Sequence, residues 1–470
     1  MADFIPSEQQ AQALEQINRF LDAPGGGVFI LKGYAGTGKT ALLQQLAKQL
    51  SKEKKIFQLL APTGRAAIVL KAKTGLSAHT IHSELYSLND IDGEISENII
   101  DPKLEDFGQM RLMFTIRTPD PEEKKIYIAD EASMIADEPG DPSSYAHFGS
   151  GHLLSDLLHI VGTNKLIISG DPCQLPPITS IESPALSEVW MRKHGKVVQS
   201  FELTDILRQK ESSGILQLAT KVRKIAQSSS FPNYIKLPVS GIKENITLMT
   251  NEEQTEHYIE QIIQNKNSNS IAICTSNFNC SLINNAVRFS KYNMKKAPLH
   301  VGDILMVTQN NHLIPLTNGD FVEVVNIGQR QDYKGINFIH VTVLEKNTNI
   351  EYETLLCYEI LYTGQLNLRQ DQQRMLMIDF SQRMRKLKIK PKSEAYYEAL
   401  SKDPYLNSLR ANFGYAVTCH KSQGGEWDNV YLFLHNKMYG MPNASLSRWW
   451  YTGITRAKEH LYMVNDWWVC

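Results

Sequence analysis

Cysteine is scarce: six residues in 470, at Cys173, Cys274, Cys280, Cys357, Cys419 and Cys470, and no two form a C-x-x-C pair. That spacing excludes a zinc ribbon and a disulfide scaffold, and the thiols read as reduced ones. Long apolar runs are missing too. None reaches the roughly 18 residues of a membrane span, and Met1 to Gln10 lack the basic and apolar blocks of a signal peptide. The expected location is the cytoplasm, with no membrane partner. An excess of one charge is also absent: 49 basic residues face 50 acidic ones. Any nucleic-acid surface must therefore be a local groove, because the molecule as a whole is not basic. No internal repeat stands out. The chain is 42% hydrophobic and too long for one core, so about two to four domains are expected.

What is present begins at Gly33-Tyr34-Ala35-Gly36-Thr37-Gly38-Lys39-Thr40, which fits G-x-x-x-x-G-K-[ST]. The apolar run Val28–Leu31 before it reads as a strand, and Ala41–Leu50 after it has helical spacing. Strand, glycine loop and helix stand in the order that phosphate binding needs. The glycines let backbone N–H groups approach the anion, and the helix N-terminus adds partial positive charge. Lys39 is placed to reach the outer phosphates and Thr40 to hold Mg²⁺. A second apolar strand ends in Asp130-Glu131, where one carboxylate serves the metal and the next activates water. A third, Leu166–Ile168, runs into Gly170-Asp171-Pro172-Cys173-Gln174, and Gln174 is a candidate contact to the terminal phosphate.

Other stretches leave alternatives open. Gln10 follows Ser7 by three residues, which suits a capping box, yet its amide equally suits an adenine edge. Ala61-Pro62-Thr63-Gly64-Arg65 is a strand-to-helix turn able to hold another phosphate. Residues 85–125 are acidic with weak periodicity and read as a small insertion. Residues 297–407 read as a β-rich, barrel-like insertion with hairpin chemistry at Asn318-Gly319-Asp320. Within it Arg383, Arg385, Lys386, Lys388, Lys390 and Lys392 run without an acid, as a solvated face or a phosphate contact. The remainder alternates strands and helices. It gives an α/β class with one domain at 1–84 and 126–203 and another at 204–296 and 408–470.

In this order, GYAGTGKT, APTGRAA, TIHS, IADEAS, SGDPCQLPP, LTDILRQ, VTCHKSQGGEWD and YTGITRAK resemble the superfamily 1 group B helicases of RecD-like, phage Dda-like and Pif type. The resemblance implies two RecA-like P-loop NTPase domains with ATP between them, a pin-type insertion at 85–125 and an SH3-like one at 297–407. It implies that Gly33, Ala35, Gly36, Thr37, Gly38, Lys39 and Thr40 hold phosphate, with Mg²⁺ on Thr40 and Asp130. Glu131 is then the base, Gln174 the γ-phosphate sensor, and Arg208 and Arg456 arginine fingers. Gln10 matches an adenine contact, Glu426 the acid near the ribose, and Gly425 beside it an ATP-binding position. Pro62, Thr63, Thr80, His82, Thr418 and His420 match a DNA groove. The implied activity is ATP-driven 5′→3′ translocation on single-stranded DNA and unwinding of forked duplex by a monomer, with replication, repair or recombination proteins as partners. A translocase or ATP-gated clamp without unwinding, and an RNA-directed helicase, fit much of the same set.

Overall fold

The computed structural model describes residues 5–92, 111–118, 123–139, 146–178, 180–206, 213–228, 230–242, 244–265, 269–311, 313–391, 393–435, 438 and 440–470. Its first sheet has six parallel strands in the order Ala78–Thr80, Phe57–Ala61, Ile126–Ala129, Lys165–Gly170, Gly27–Gly33, Val198–Leu203. The near-continuous apolar runs follow from burial on both faces. Val28 and Ile30 meet Leu154, Leu157 and Ile168 on one side, while Phe29 and Leu31 meet Ala13, Ile17, Leu42 and Leu46 on the other. Each of the Val, Leu, Ile and Phe side chains contributes about 1.5–3 kcal/mol by leaving water. The helices Glu8–Asp22 and Lys39–Lys52 are thereby fixed against the strand that feeds the glycine loop.

The second parallel sheet runs Ile246–Met249, Ala457–Val464, Trp427–Leu432, Ser270–Cys274, Ala416–Thr418. The helices Gly214–Ala226 and Asn443–Ile454 cover one face, through Leu218, Val222, Trp450 and Ile454. Asn251–Gln264 and Asn277–Tyr292 cover the other. The two parallel sheets are the two α/β domains expected from the sequence.

The segment read as β-rich is a mixture. Its antiparallel sheet is ordered Glu351–Cys357, Ile336–Glu345, Phe321–Tyr333, Ile304–Val307, Ala411–Phe413. Leu409 N–H donates to the Leu355 carbonyl at 2.7 Å and the Leu409 carbonyl accepts Cys357 N–H at 3.0 Å, so the two sheet edges are joined through residue 409. The tight turn is Lys334-Gly335, both at positive φ, whereas Asn318-Gly319 ends a longer loop. Two helices, Gln370–Lys386 and Glu394–Lys402, form their own small core of Met377, Phe380, Met384, Tyr396 and Leu400. The basic run hid that helical spacing. Arg383 in it is bonded to Asp379 and Asp403, whereas Arg385, Lys386, Lys388 and Lys390 are exposed; Lys392 lies outside the described residues.

A three-stranded sheet takes Tyr86–Asp92, Arg111–Ile116 and Ala146–Phe148, so it draws a strand from beyond 125. Residues 93–110 and 119–122 of the acidic insertion lie outside the described residues. Among the described residues, no helix is long and apolar enough to cross a membrane.

Candidate nucleotide cleft and nucleic-acid edge

Between the two parallel sheets lies a cleft of about 1230 Å³, lined by Lys39, Thr40, Asp130, Glu131, Gln174 and Arg456 among others. The glycine loop enters it from the strand Gly27–Gly33. Gly36 and Gly38 take φ of +83° and +78°, a region other residues rarely adopt. A Cβ at Gly33 would stand 2.8 Å from Thr37 Oγ1, so the first glycine of the motif is set by crowding inside the loop. Lys39 Nζ donates to the carbonyls of Gly33 at 2.7 Å and Tyr34 at 3.2 Å, which folds the ammonium back over the loop. Thr40 Oγ1 donates to Asp130 Oδ2 at 3.3 Å. Two hard oxygen donors of this kind suit Mg²⁺, which takes few protein ligands and completes its shell with phosphate and water. Among the described residues no group of three or more His, Cys, Asp or Glu could hold a metal by itself, so a cation here needs those outside ligands.

Glu131 sits just past the strand at φ +52°, a costly conformation for a residue with a side chain. Burial, then the neighbouring Asp130, push its carboxyl above the ordinary range, while Arg456 and Lys39 pull it back. Such a carboxylate is a better proton acceptor than an exposed one. Asp171 is also pushed up by burial, against Lys39 and a hydrogen bond from Tyr451. The Gln174 side chain is buried in the cleft lining and its Oε1 has no hydrogen-bond partner.

From the second lobe, Arg456 follows the helix Asn443–Ile454 and precedes the strand Ala457–Val464; it stands at their junction rather than on the helix. It is 5% exposed and donates to the carbonyls of Thr452 at 3.0 Å and Gly425 at 3.2 Å, and to Thr455 Oγ1 at 3.1 Å. Glu426 lies across the rim, 4.0 Å from Lys73 of the first lobe. Arg208 lies outside the described residues.

Gln10 forms the capping box with Ser7: its Oε1 accepts Ser7 N–H at 3.1 Å. Its amide also donates to the Thr37 carbonyl at 3.2 Å, so the residue braces the phosphate loop.

The positions matched to a nucleic-acid groove sit at strand ends on the sheet margins. Thr63, Thr80 and Thr418 share one local role, each capping the helix that follows by accepting the N–H of Ala66, Ser83 and Lys421. Pro62 and Thr63 follow Ala61, which pairs with Thr80. Thr418 ends the edge strand of the second sheet. His82 packs edge-on against Phe148, and burial pulls both His82 and His420 below the ordinary histidine range.

Two family models match separate parts of the chain. An AAA domain model matches residues 6–235 and a UvrD-like helicase C-terminal domain model matches 413–464, so each carries one wall of the cleft. Among the proteins to which the chain is similar are helicases of RecD and Pif type. The chain is 22% identical to an uncharacterized protein of Acanthamoeba polyphaga mimivirus, over 97% of the chain and 98% of that protein. It is 23% identical to the ATP-dependent RecD2 DNA helicase of Deinococcus radiodurans, over 98% of the chain but 49% of the relative. The chain thus spans the viral relative and about half the length of the bacterial one. The Pif1 helicase from Bacteroides, solved in complex with ADP-AlF3 and ssDNA, superposes with a TM-score of 0.50 at 17% identity, covering 100% of this chain and 94% of that one.

Several residues that build this cleft escaped the sequence reading. Tyr451 Oη accepts Ala35 N–H at 2.9 Å and donates to Asp171 Oδ2 at 2.8 Å. Thr452 Oγ1 accepts Leu175 N–H at 2.9 Å, and Gln423 donates to the Leu175 carbonyl at 2.9 Å. Gln9, beside Gln10, accepts the N–H groups of Thr204 and Asp205. Tyr451, Thr452 and Gln423 all fall inside the two C-terminal motifs, which was the available signal.

Proposed function

We propose that this chain is a helicase that binds ATP in the interlobe cleft, hydrolyses it, moves 5′→3′ on single-stranded DNA and opens forked duplex. One observation carries the reading: the glycine loop, the Asp130-Glu131 pair and Arg456 line one cavity, although they come from two separate sheets. The comparisons support DNA as the polymer, since the RecD2 relative is named as a DNA helicase and the Bacteroides Pif1 was solved with ssDNA.

The chemistry follows from the side chains. The loop amides and Lys39 hold the phosphates, and Lys39 must leave the carbonyls of Gly33 and Tyr34 to do so. Mg²⁺ on Thr40 and Asp130 would supply charge neutralisation between the outer phosphates. Glu131 accepts the proton of the attacking water, and Gln174 turns its free amide oxygen or its NH₂ toward that water or the γ-phosphate. Arg456 exchanges its bonds to Thr452 and Gly425 for the γ-phosphate, and such a finger accelerates transfer by about 10³ to 10⁵. Arg208 is proposed as a second finger and Gln10 as the adenine contact.

Loss of the γ-phosphate removes the charge the lobes share, so they part. A strand seated on Pro62, Thr63, Thr80 and His82 of one lobe and Thr418 and His420 of the other is then displaced stepwise. Opening one base pair costs about 1.4 kcal/mol on average, within reach of one cycle. The proposal extends to a monomeric enzyme with a pin-type element near 85–125 and an SH3-like unit near 297–407. The test is an ATPase and unwinding assay on duplexes with a 5′ tail, a 3′ tail or none. Opening only with a 5′ tail, with ATPase raised more by DNA than by RNA, is the expected result. Duplex that stays closed with either tail overturns unwinding, and greater stimulation by RNA overturns the choice of polymer.

A further inference from the structure

The helix Gly64–Thr74, which follows the Pro62–Thr63 turn, carries an arginine for which the chemistry above has no use. Arg65 is 8% exposed, and its guanidinium carbon lies 4.2 Å from the ring centre of Trp427 and 4.9 Å from that of Phe321. The rings belong to different units. Trp427 opens a strand of the second parallel sheet next to Glu426, and Phe321 opens the long strand of the antiparallel sheet. They meet edge to face, with centroids 6.2 Å apart at 82°, and make a corner that a flat cation fills.

The space around this cation is closed. A Cβ at Gly425 would stand 2.6 Å from the guanidinium carbon, and one at Gly64 would stand 1.7 Å from Thr317 Oγ1. Glycine at both positions lets three units close on a single side chain. The contact is stacking rather than an ion pair, since Arg65 Nη1 and the nearby Asp320 Oδ1 are both buried without a hydrogen-bond partner. The other oxygen of Asp320 accepts from Thr317, through N–H at 2.6 Å and Oγ1 at 2.9 Å. Burial draws the guanidinium down to about 10 despite Asp320, and Arg456 adds to that pull. A stack across a seam between lobes exists only while the lobes are shut.

We propose that Arg65 is a positioning residue that transmits the seating of a DNA strand on the Pro62–Thr63 turn to the nucleotide cleft, by locking its helix onto Trp427 beside Glu426 as the lobes close. The inference rests on the DNA reading given above. Only Gly64 separates Arg65 from Thr63 on a continuous backbone, so a strand that shifts the turn shifts the guanidinium against the ring.

The test compares the parent with R65M, R65K, W427L and the double variant R65M/W427L, measuring ATPase at saturating ATP with and without oligo(dT). R65M keeps the length of the side chain and removes its charge. It is expected to cut the ratio of stimulated to unstimulated rate by about tenfold, within the usual span of a coupling between sites. R65K keeps the charge without the flat fork and falls between R65M and the parent. W427L matches R65M, and the double variant is no worse than either single one. A ratio in R65M within about twofold of the parent, or losses that multiply in the double variant, overturns the proposal. Should R65M not fold, R65K and W427L carry the same comparison. A parent that oligo(dT) does not stimulate overturns the DNA reading and this inference together, whereas a stimulated parent with an unaltered R65M ratio overturns this inference alone.

Discussion

The hydroxyl of Tyr451 joins the lobes at one atom: it donates to Asp171 at 2.8 Å and accepts the N–H of Ala35, in the phosphate loop, at 2.9 Å. Tyr451 and Asp171 are held away from bulk water, at 1% exposure each, while Ala35 is half-buried at the cleft. Y451F removes one oxygen and leaves the buried Asp171 Oδ2 without its donor, a loss of about 1–3 kcal/mol. Steady-state ATPase is expected to show a kcat about tenfold below the parent, with a lower melting temperature. Parent-like values for both would show that the bond is idle.

Glu131 supplies a prediction with a sign. Burial and Asp130 hold its folded-state affinity for a proton above the ordinary carboxylate value. A raised acid costs stability wherever it is ionised: the cost is absent below about pH 4.3, accrues as pH rises toward the folded value and is complete above it. E131Q removes the charge, so it is expected to melt higher than the parent at pH 8, with the gain shrinking toward pH 4.3. Its ATP binding persists while turnover stops. A variant that hydrolyses near the parent rate would show the base to be misassigned.

Lys39 bridges two carbonyls of its own loop, and no other loop side chain presents a cation to the phosphates. K39A is expected to lower turnover by about 10² or more and to weaken nucleotide binding in an equilibrium titration.

Gly64 faces Thr317 across the seam between the first lobe and the antiparallel sheet, with no room for a methyl group. G64A is expected to cost about 1–3 kcal/mol in denaturant unfolding. T317G in the same chain should restore most of that loss. If the double variant is no more stable than G64A alone, the crowding lies elsewhere.

How much of this was legible beforehand differs by residue. The glycine loop, Asp130, Glu131 and Gln174 were readable because strand, turn and chemistry are contiguous in the chain, and the cleft brings them together. Tyr451 was not, since its partners are 280 and 416 positions away and only the packed fold sets them side by side. Gln10 shows a related limit: an amide suited to two jobs was left open, and the structure displays the capping box and a bond to Thr37. In the insertion, hairpin signals drew attention to strands, while Leu376, Phe380 and Met384 spaced an amphipathic helix beneath a basic composition. Arg65 was passed over inside a motif read for its turn, because a stacking partner on another lobe leaves no local mark.

The most direct test is a structure of the parent enzyme with Mg²⁺, a non-hydrolysable ATP analogue and oligo(dT). The account predicts Lys39 and Arg456 on opposite sides of the γ-phosphate, with the Arg456 guanidinium within about 4 Å of its oxygens. An analogue held by Lys39 while Arg456 keeps its bonds to Thr452 and Gly425, separated from the phosphate by water, would contradict it.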